Sequence, residues 1–111
     1  MANPNYEFQG LPDETERIVV TDTAQQFTAT QYMKNSSPAI AVIITCEDAL
    51  VRFCLGGATP TQGATGLGHI LYTGQSLRLA SGRAIQTFSF INHTNAAAAA
   101  LQCTWEFEPG V

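Results

Sequence analysis

Apolar and polar residues alternate most clearly near the end of the chain. In the run ALQCTWEF, residues 100–107, every second position from residue 101 is apolar and polar residues lie between them. Because successive side chains of a β-strand point to opposite faces, this pattern predicts a strand with one buried face. The residues predicted to point inward are Leu101, Cys103, Trp105 and Phe107. The residues predicted to point outward are Gln102, Thr104, Glu106 and Glu108.

Short runs of β-branched and aromatic residues predict further strands from Arg17 onward. In chain order they are RIVVT, QQFTAT, AIAVIITC, LVRFCL, HILY, SLRL and AIQTFSFIN. Turn-forming residues separate most of them, whereas five consecutive alanines before the last strand are too few for a stable helix and predict a loop or a single helical turn. Seven or eight short strands at this spacing predict an all-β fold, an antiparallel β-sandwich with jelly-roll-like topology.

The middle of the chain predicts a hairpin. AVIITC and LVRFCL are separated only by residues 47–49, which we expect to form the turn between two paired strands. The alternation in LVRFCL assigns its side chains to two faces. Val51, Phe53 and Leu55 are predicted to share one face, and Arg52 and Cys54 the other.

Residues 1–16 show neither alternation nor a helical period, and they combine prolines, acidic residues and a few large apolar side chains. This composition predicts an extended N-terminal arm, followed by a single β-sandwich domain over residues 17–111. The arm is either an unordered terminus or a segment that orders against a neighbouring subunit through its aromatic residues.

Charged residues make up only 13% of the 111 residues, well below the roughly 25% that is usual in soluble domains. The net charge is -4, and the five cationic residues are scattered along the chain. Binding to nucleic acid or to an anionic membrane requires clustered lysine and arginine, so we expect neither partner.

Cys46, Cys54 and Cys103 are odd in number, and none belongs to a CxxC pair. We therefore expect reduced thiols in a protein made in a reducing cytoplasm. The opening residues MANPNYEFQG lack the apolar core of a signal peptide, and no apolar run is long enough to span a membrane.

Residues 51–71 hold five of the nine glycines and raise the question of a phosphate-binding loop. A Walker loop needs a Gly-Lys-Ser/Thr sequence at the start of a helix, and this segment contains no lysine. Its GATGLG run spaces the glycines in the reverse order of the dinucleotide fingerprint and precedes a predicted strand. We therefore expect no phosphate here, but an ordered surface loop with Ala58, Thr59, Pro60, Thr61 and Gln62 at its tip.

Other catalytic or metal-binding patterns are weak. His69 and His93 have no ligand at metal-site spacing. Glu106 and Glu108 would lie on one strand face about 7 Å apart, close to the spacing of a glycosidase pair, but outward acids are ordinary in an alternating strand. No GxSxG motif is present. The expectation is a non-enzyme with no cofactor and no metal.

Residues 51–91 resemble a pattern of small virion proteins from tailed phages. Their run of V-R-F-x-L, a Gly/Pro/Thr loop, G-H-x-L, G-x-x-L-x-L and A-I-x-x-F-x-F-I, together with the CTWEFEPG ending, is similar to the capsid decoration, or staple, proteins of short-tailed phages. The resemblance implies a jelly-roll-like sandwich on the outer surface of an icosahedral virion capsid, a homodimer, and the major capsid (coat) protein as partner. It implies no catalytic residues.

The function expected from the residues and the resemblance is that of a virion structural protein that staples neighbouring coat subunits. The arm residues Tyr6, Phe8 and Leu11, together with the loop tip at residues 58–62, are the predicted coat contacts. The alternative is a carbohydrate-binding or receptor-binding module of the virion. An aromatic platform would favour that alternative, whereas the predicted inward position of Trp105 disfavours it.

Overall fold

The computed structural model describes residues 11–108, except for the side chain of Leu11. Ten strands and two short helices form within this range. In chain order they are β1 (Leu11–Val19), β2 (Gln25–Gln26), α1 (Ala29–Tyr32), β3 (Met33–Lys34), β4 (Ser37–Pro38), β5 (Ala41–Glu47), β6 (Val51–Cys54), β7 (His69–Leu71), β8 (Ser76–Leu79), α2 (Gly82–Thr87), β9 (Ser89–Asn92) and β10 (Ala100–Phe107).

Eight of these strands form two antiparallel four-stranded sheets. Sheet A has the order β1-β10-β5-β8, and sheet B has the order β2-β9-β6-β7. The strands β3 and β4 form a separate small hairpin. The predicted all-β, antiparallel sandwich is confirmed.

One hydrophobic core joins the two sheets. From sheet A it receives Val42, Ile44, Leu101, Cys103, Trp105 and Phe107. From sheet B it receives Val51, Phe53, Leu71 and Phe90. The inward-facing residues predicted for the last strand are therefore confirmed, because every second residue of β10 from position 101 lies in this core.

Phe27 brings aromatic rings of both sheets together. Its ring centroid lies 5.2 Å from that of Phe88 in a stacked arrangement and 5.4 Å from that of Phe90. It also meets Trp105 of sheet A edge to face at 4.9 Å. Such aromatic pairs contribute beyond the area that they bury, so this cluster helps to fix how the sheets pack.

The predicted hairpin at residues 47–49 is wrong. β5 belongs to sheet A and β6 to sheet B, so the chain crosses between the sheets at this point. The reason lies in β5, which pairs with β10 along one edge and with β8 along the other. Neither edge of β5 is free for β6. Asp48 turns the chain with a φ of +73°, and the Cys46 thiol donates to the carbonyl oxygen of Ala49 at 3.0 Å.

Two predicted strands are shorter in the structure, one at its start and the other at its end. Residues 82–87 form α2, and Ser81 is its N-cap, since the Ser81 hydroxyl accepts from the Ala84 amide at 3.3 Å. The strand itself starts only at Ser89. Residues 29–32 form one helical turn, α1, where the strand QQFTAT was predicted to continue. In both places local capping outweighs β-propensity. The polyalanine segment forms a loop up to residue 99, which was one of the two predicted alternatives, and Ala100 starts β10.

β1 begins at Leu11, earlier than the alternation indicates. Residues 11–16, which the sequence places in the arm, pair with β10 as the edge of sheet A. The register shifts between Pro12 and Thr15, where the strand bulges. A bulge interrupts the period of two, which explains why the alternation failed to identify this part of the strand.

Glu106 lies on the outer face of sheet A, as predicted, but it is not a solvated acid. Its side chain is fully buried, and Arg78 donates to both carboxylate oxygens, at 3.1 and 3.0 Å. A buried carboxylate needs such a partner because desolvation of an unpaired charge is costly. Its burial also removes it from any exposed pair with Glu108.

The three cysteines are free and buried. Burial, with a smaller contribution from Glu47 and Asp48, raises the pKa of the Cys46 thiol to about 11. Burial also raises the pKa of Cys103. Both thiols therefore stay protonated at neutral pH, in their unreactive form. None of the helices within residues 11–108 has the length and hydropathy needed to cross a membrane.

We expect Arg78→Ala to destabilise the protein by about 3 kcal/mol, because it removes the guanidinium whose Nη2 contacts both oxygens of the buried Glu106 carboxylate. Arg17→Ala is the matched control, since Arg17 also pairs with a glutamate of sheet A, Glu47, but in an exposed position. Its effect should be much smaller. Urea denaturation of both variants measures the difference, and equal losses would contradict the assigned role of Glu106.

Candidate interaction surface on the glycine-rich loop

Arg52 holds the glycine-rich loop, defined as residues 55–68, against the outer face of sheet B. Its side chain is buried and donates to three loop carbonyl oxygens. Nε reaches Gly63 at 3.0 Å, Nη1 reaches Gly68 at 2.6 Å and Nη2 reaches Ala64 at 3.3 Å. The planar guanidinium has five donors in a fixed geometry, so three carbonyls around it restrict the loop to one arrangement. The loop is therefore an ordered part of the domain.

Hydrogen bonds join residues within the loop and attach the loop to His93. The Thr61 amide donates to the Leu67 carbonyl at 3.1 Å, and the Leu67 amide donates to the Thr61 hydroxyl at 2.7 Å. The Gly66 amide donates to the Gly63 carbonyl at 3.1 Å, and the Gly63 amide donates to the carbonyl of His93 at 2.8 Å. These four amides are used within the protein and are not available to hold a phosphate.

Two glycines of the loop are required by close packing. A Cβ at Gly66 would overlap the Thr61 carbonyl oxygen and lie 2.8 Å from that of Gln62. Gly68 has a φ of +121°, and its Cβ would lie 2.8 Å from the carbonyl oxygen of Phe53. The glycines therefore let the loop backbone approach itself and the end of β6.

Asp22 connects this loop to two others. Its carboxylate accepts from the Asn92 side chain at 3.0 Å, from the Ala96 amide at 3.0 Å and from the Gln62 side chain at 3.2 Å. These hydrogen bonds, led by that from Asn92, hold the pKa of Asp22 below its usual value. The segments before β2, after β9 and between β6 and β7 are thus joined by one charged group.

An apolar cleft of about 340 Å³ lies where the loop meets the ends of β6 and β7. Leu55 and Leu67 stand beside it with 45% and 56% of their surface exposed. The cleft is lined by Cys54, Leu55, Ala58, Leu67, Gly68 and His69. Two exposed leucines beside a cleft, on a loop held in place, are suited to contact with another protein.

The predicted coat contacts are placed as follows. In the loop tip, Ala58, Thr59 and Thr61 are exposed, and Gln62 is half-buried against Asp22. Pro60 is almost fully buried, so its assignment as a surface contact is wrong.

The predicted arm contacts are described only in part. Tyr6 and Phe8 lie outside the described residues, and their assignment stays a prediction. Leu11 starts β1 and pairs with Phe107 in sheet A. The exposed Leu55 and Leu67 were missed by the sequence reasoning. Leu55 continues the apolar face of LVRFCL, so the alternation indicated that it would be buried. Leu67 is a single large apolar residue among small ones, and this isolation was the signal that could have identified it.

Two other kinds of site, a metal site and a platform for stacking a sugar, find little support within residues 11–108. Within residues 11–108, no group of three His, Cys, Asp or Glu side chains could hold a metal ion. Trp105 is only 4% exposed, so it offers no platform on which a sugar ring could stack. The surface is best described as a neutral, rigid contact region.

We expect Gly66→Ala to disrupt the loop, because its new methyl group overlaps the Thr61 carbonyl. Gly82→Ala is the matched control, since a Cβ there meets nothing closer than 3.8 Å. Gly66→Ala should lower the melting temperature, by several degrees for each 1 kcal/mol lost, while Gly82→Ala should leave it unchanged or raise it slightly. Thermal unfolding of both variants tests this packing. An unchanged melting temperature in Gly66→Ala would contradict it.

Replacement of Asp22 by asparagine should destabilise the protein in a pH-dependent way. Because folding lowers the pKa of Asp22, its contribution is fully present above the unfolded-state pKa and is lost as the pH falls through the lower folded value. The melting temperatures of wild type and Asp22→Asn should therefore differ most near neutral pH and converge in acid. A constant difference across the whole pH range would contradict this role.

No family model, curated protein or solved structure matches this chain.

Proposed function

We propose that the protein is a virion structural protein that binds the outer capsid surface and staples neighbouring major coat subunits. The observation that carries this proposal is the pair of exposed leucines, Leu55 and Leu67, on a loop that Arg52 holds in place. A contact surface that is ordered before binding loses less conformational entropy when it binds. Such preorganisation suits a protein whose task is to hold other subunits together.

The charge distribution supports a protein partner. Residues 55–68 contain no charged residue, and the buried centres of protein interfaces are depleted in charge. The two leucines would fill apolar recesses on the coat, and the surrounding threonine and glutamine side chains would form the polar rim. Nucleic acid is not part of the proposal, because it would require a basic surface.

Stapling also needs more than one contact in each molecule. A standard protein interface buries about 1,600 Å², and linking two such contacts raises the effective affinity well above that of one. We propose that a homodimer provides the two contacts, one to each neighbouring coat subunit. The arrangement of four strands in each sheet is compatible with the jelly-roll topology predicted from the sequence.

The test is binding of purified protein to coat-protein shells that lack it. We expect Leu67→Asp to weaken co-sedimentation by roughly 30-fold, the effect of losing about 2 kcal/mol at an interface hot spot. Val19→Asp is the matched control, since Val19 is 57% exposed, as Leu67 is at 56%, but lies on sheet A. It should bind as the wild type does.

Both variants should unfold at the wild-type temperature, because the substituted side chains are already exposed. Failure of the wild-type protein to sediment with any shell would overturn the proposed function. Equal binding by the wild type and Leu67→Asp would instead show that shell binding uses another surface. Many copies per particle are expected for a decoration protein, and a few for a connector component.

A further inference from the structure

The cleft where the glycine-rich loop meets the ends of β6 and β7, which we call the loop cleft, is accessible to a partner. Its volume is about 340 Å³. Four of its six lining residues are exposed, namely Leu55, Ala58, Leu67 and His69. A group on another molecule can therefore reach most of its wall directly from solvent.

The polar backbone groups around the loop cleft already have partners. The Gly68 carbonyl oxygen accepts from Arg52 at 2.6 Å. The Leu67 amide donates to the Thr61 hydroxyl, and the Leu67 carbonyl accepts from the Thr61 amide. Cys54 lies in the ladder between β6 and β9. A charged or strongly polar occupant would lose its hydration without compensation from these groups.

The loop cleft is also uncharged. Residues 55–71 contain no aspartate, glutamate, lysine or arginine, although the chain as a whole carries a net charge of -4. Arg52 beneath the loop directs its three guanidinium nitrogens at loop carbonyl oxygens. The cleft has no counter-charge for an ionised group and is complementary to a neutral, apolar one.

The size and the walls of the loop cleft favour an aromatic ring. An apolar cavity of about 150 Å³ holds benzene, so a cleft of about 340 Å³ admits an aromatic side chain. The wall already contains the ring of His69, which lies 5.3 Å from the ring of Phe53 between centroids. Aromatic rings pack against one another edge to face or offset, and aromatic residues are enriched in protein interfaces. An aliphatic side chain would not gain these ring contacts.

We infer that the loop cleft receives one aromatic side chain that projects from the coat protein, an inference that rests on the proposed function. The proposed function uses the two leucines as contacts, and the cleft adds the group that the coat presents in return. Leu55 and Leu67 line the same cleft, so they contact both the inserted ring and the coat surface around it. Side chains that fill such pockets are the ones that dominate binding energy at interfaces.

The first test fills the cleft from within. Ala58→Phe adds a ring to the cleft wall and should weaken co-sedimentation with coat shells at least about 30-fold, the effect of a hot-spot side chain losing its pocket. Thr59→Phe is the matched control, since Thr59 is the next residue and is exposed but does not line the cleft. It should bind as the wild type does. Loss of binding in both variants would indicate a general steric block and would overturn the assignment to the cleft.

The second test needs no shells. p-Cresol, which carries the ring of tyrosine, is titrated into isotope-labelled full-length protein and followed by NMR. We expect saturable amide shifts confined to residues 54–58 and 67–69, with a dissociation constant on the order of 1 mM. Ala58→Phe should abolish these shifts, Thr59→Phe should retain them, and methylammonium should cause none.

The outcomes separate the loop cleft from the function on which it rests. Shell binding that is equal in the wild type and Ala58→Phe would overturn the cleft assignment and leave the proposed function standing. Failure of the wild type to bind any shell would overturn both. Absence of p-cresol shifts in the cleft, or equal shifts with methylammonium, would overturn the cleft assignment alone. If Ala58→Phe does not fold, the p-cresol titration of the wild type still decides.

Discussion

The two central strands of sheet A, β10 and β5, impose the main constraint on this fold. Each is paired along both edges, and each delivers a continuous row of apolar side chains to one core. Because neither strand has a free edge, the chain after β5 must cross to the other sheet, where β6 and β9 complete the core. The ring of Phe27 then meets aromatic residues from both sheets, which fixes their relative position.

A charged side chain is buried on the outer face of each sheet, and the two are stabilised by different partners. On sheet A, Glu106 is paired with Arg78 from β8. On sheet B, Arg52 is surrounded by carbonyl oxygens of the glycine-rich loop. In the first case the charge joins neighbouring strands, and in the second it determines the conformation of a surface segment. The loop is therefore ordered in part because its carbonyl oxygens are the hydrogen-bond partners of the buried Arg52.

The surface chemistry of the glycine-rich loop follows from what lies beneath it. The loop lies over a cation, Arg52, each of whose three guanidinium nitrogens donates to a backbone carbonyl. The outer side of the loop is neutral and apolar around Leu55 and Leu67. An apolar surface on a rigid loop favours a protein partner.

Local patterns in the sequence were sufficient for the fold class and for the inward face of β10, because alternation with a period of two is a property of the strand itself. They also placed Val51 and Phe53 on one face of a strand, and the structure shows that this face lies in the core. They gave no means of seeing that β5 has no free edge, that Arg52 meets carbonyls up to sixteen residues further along the chain, or that Glu106 is buried against Arg78. The bulge in β1 could not be predicted from them either. Pairing of edges, burial on an outer face and the closing of a cavity each depend on segments distant in sequence, so only the tertiary structure decides them.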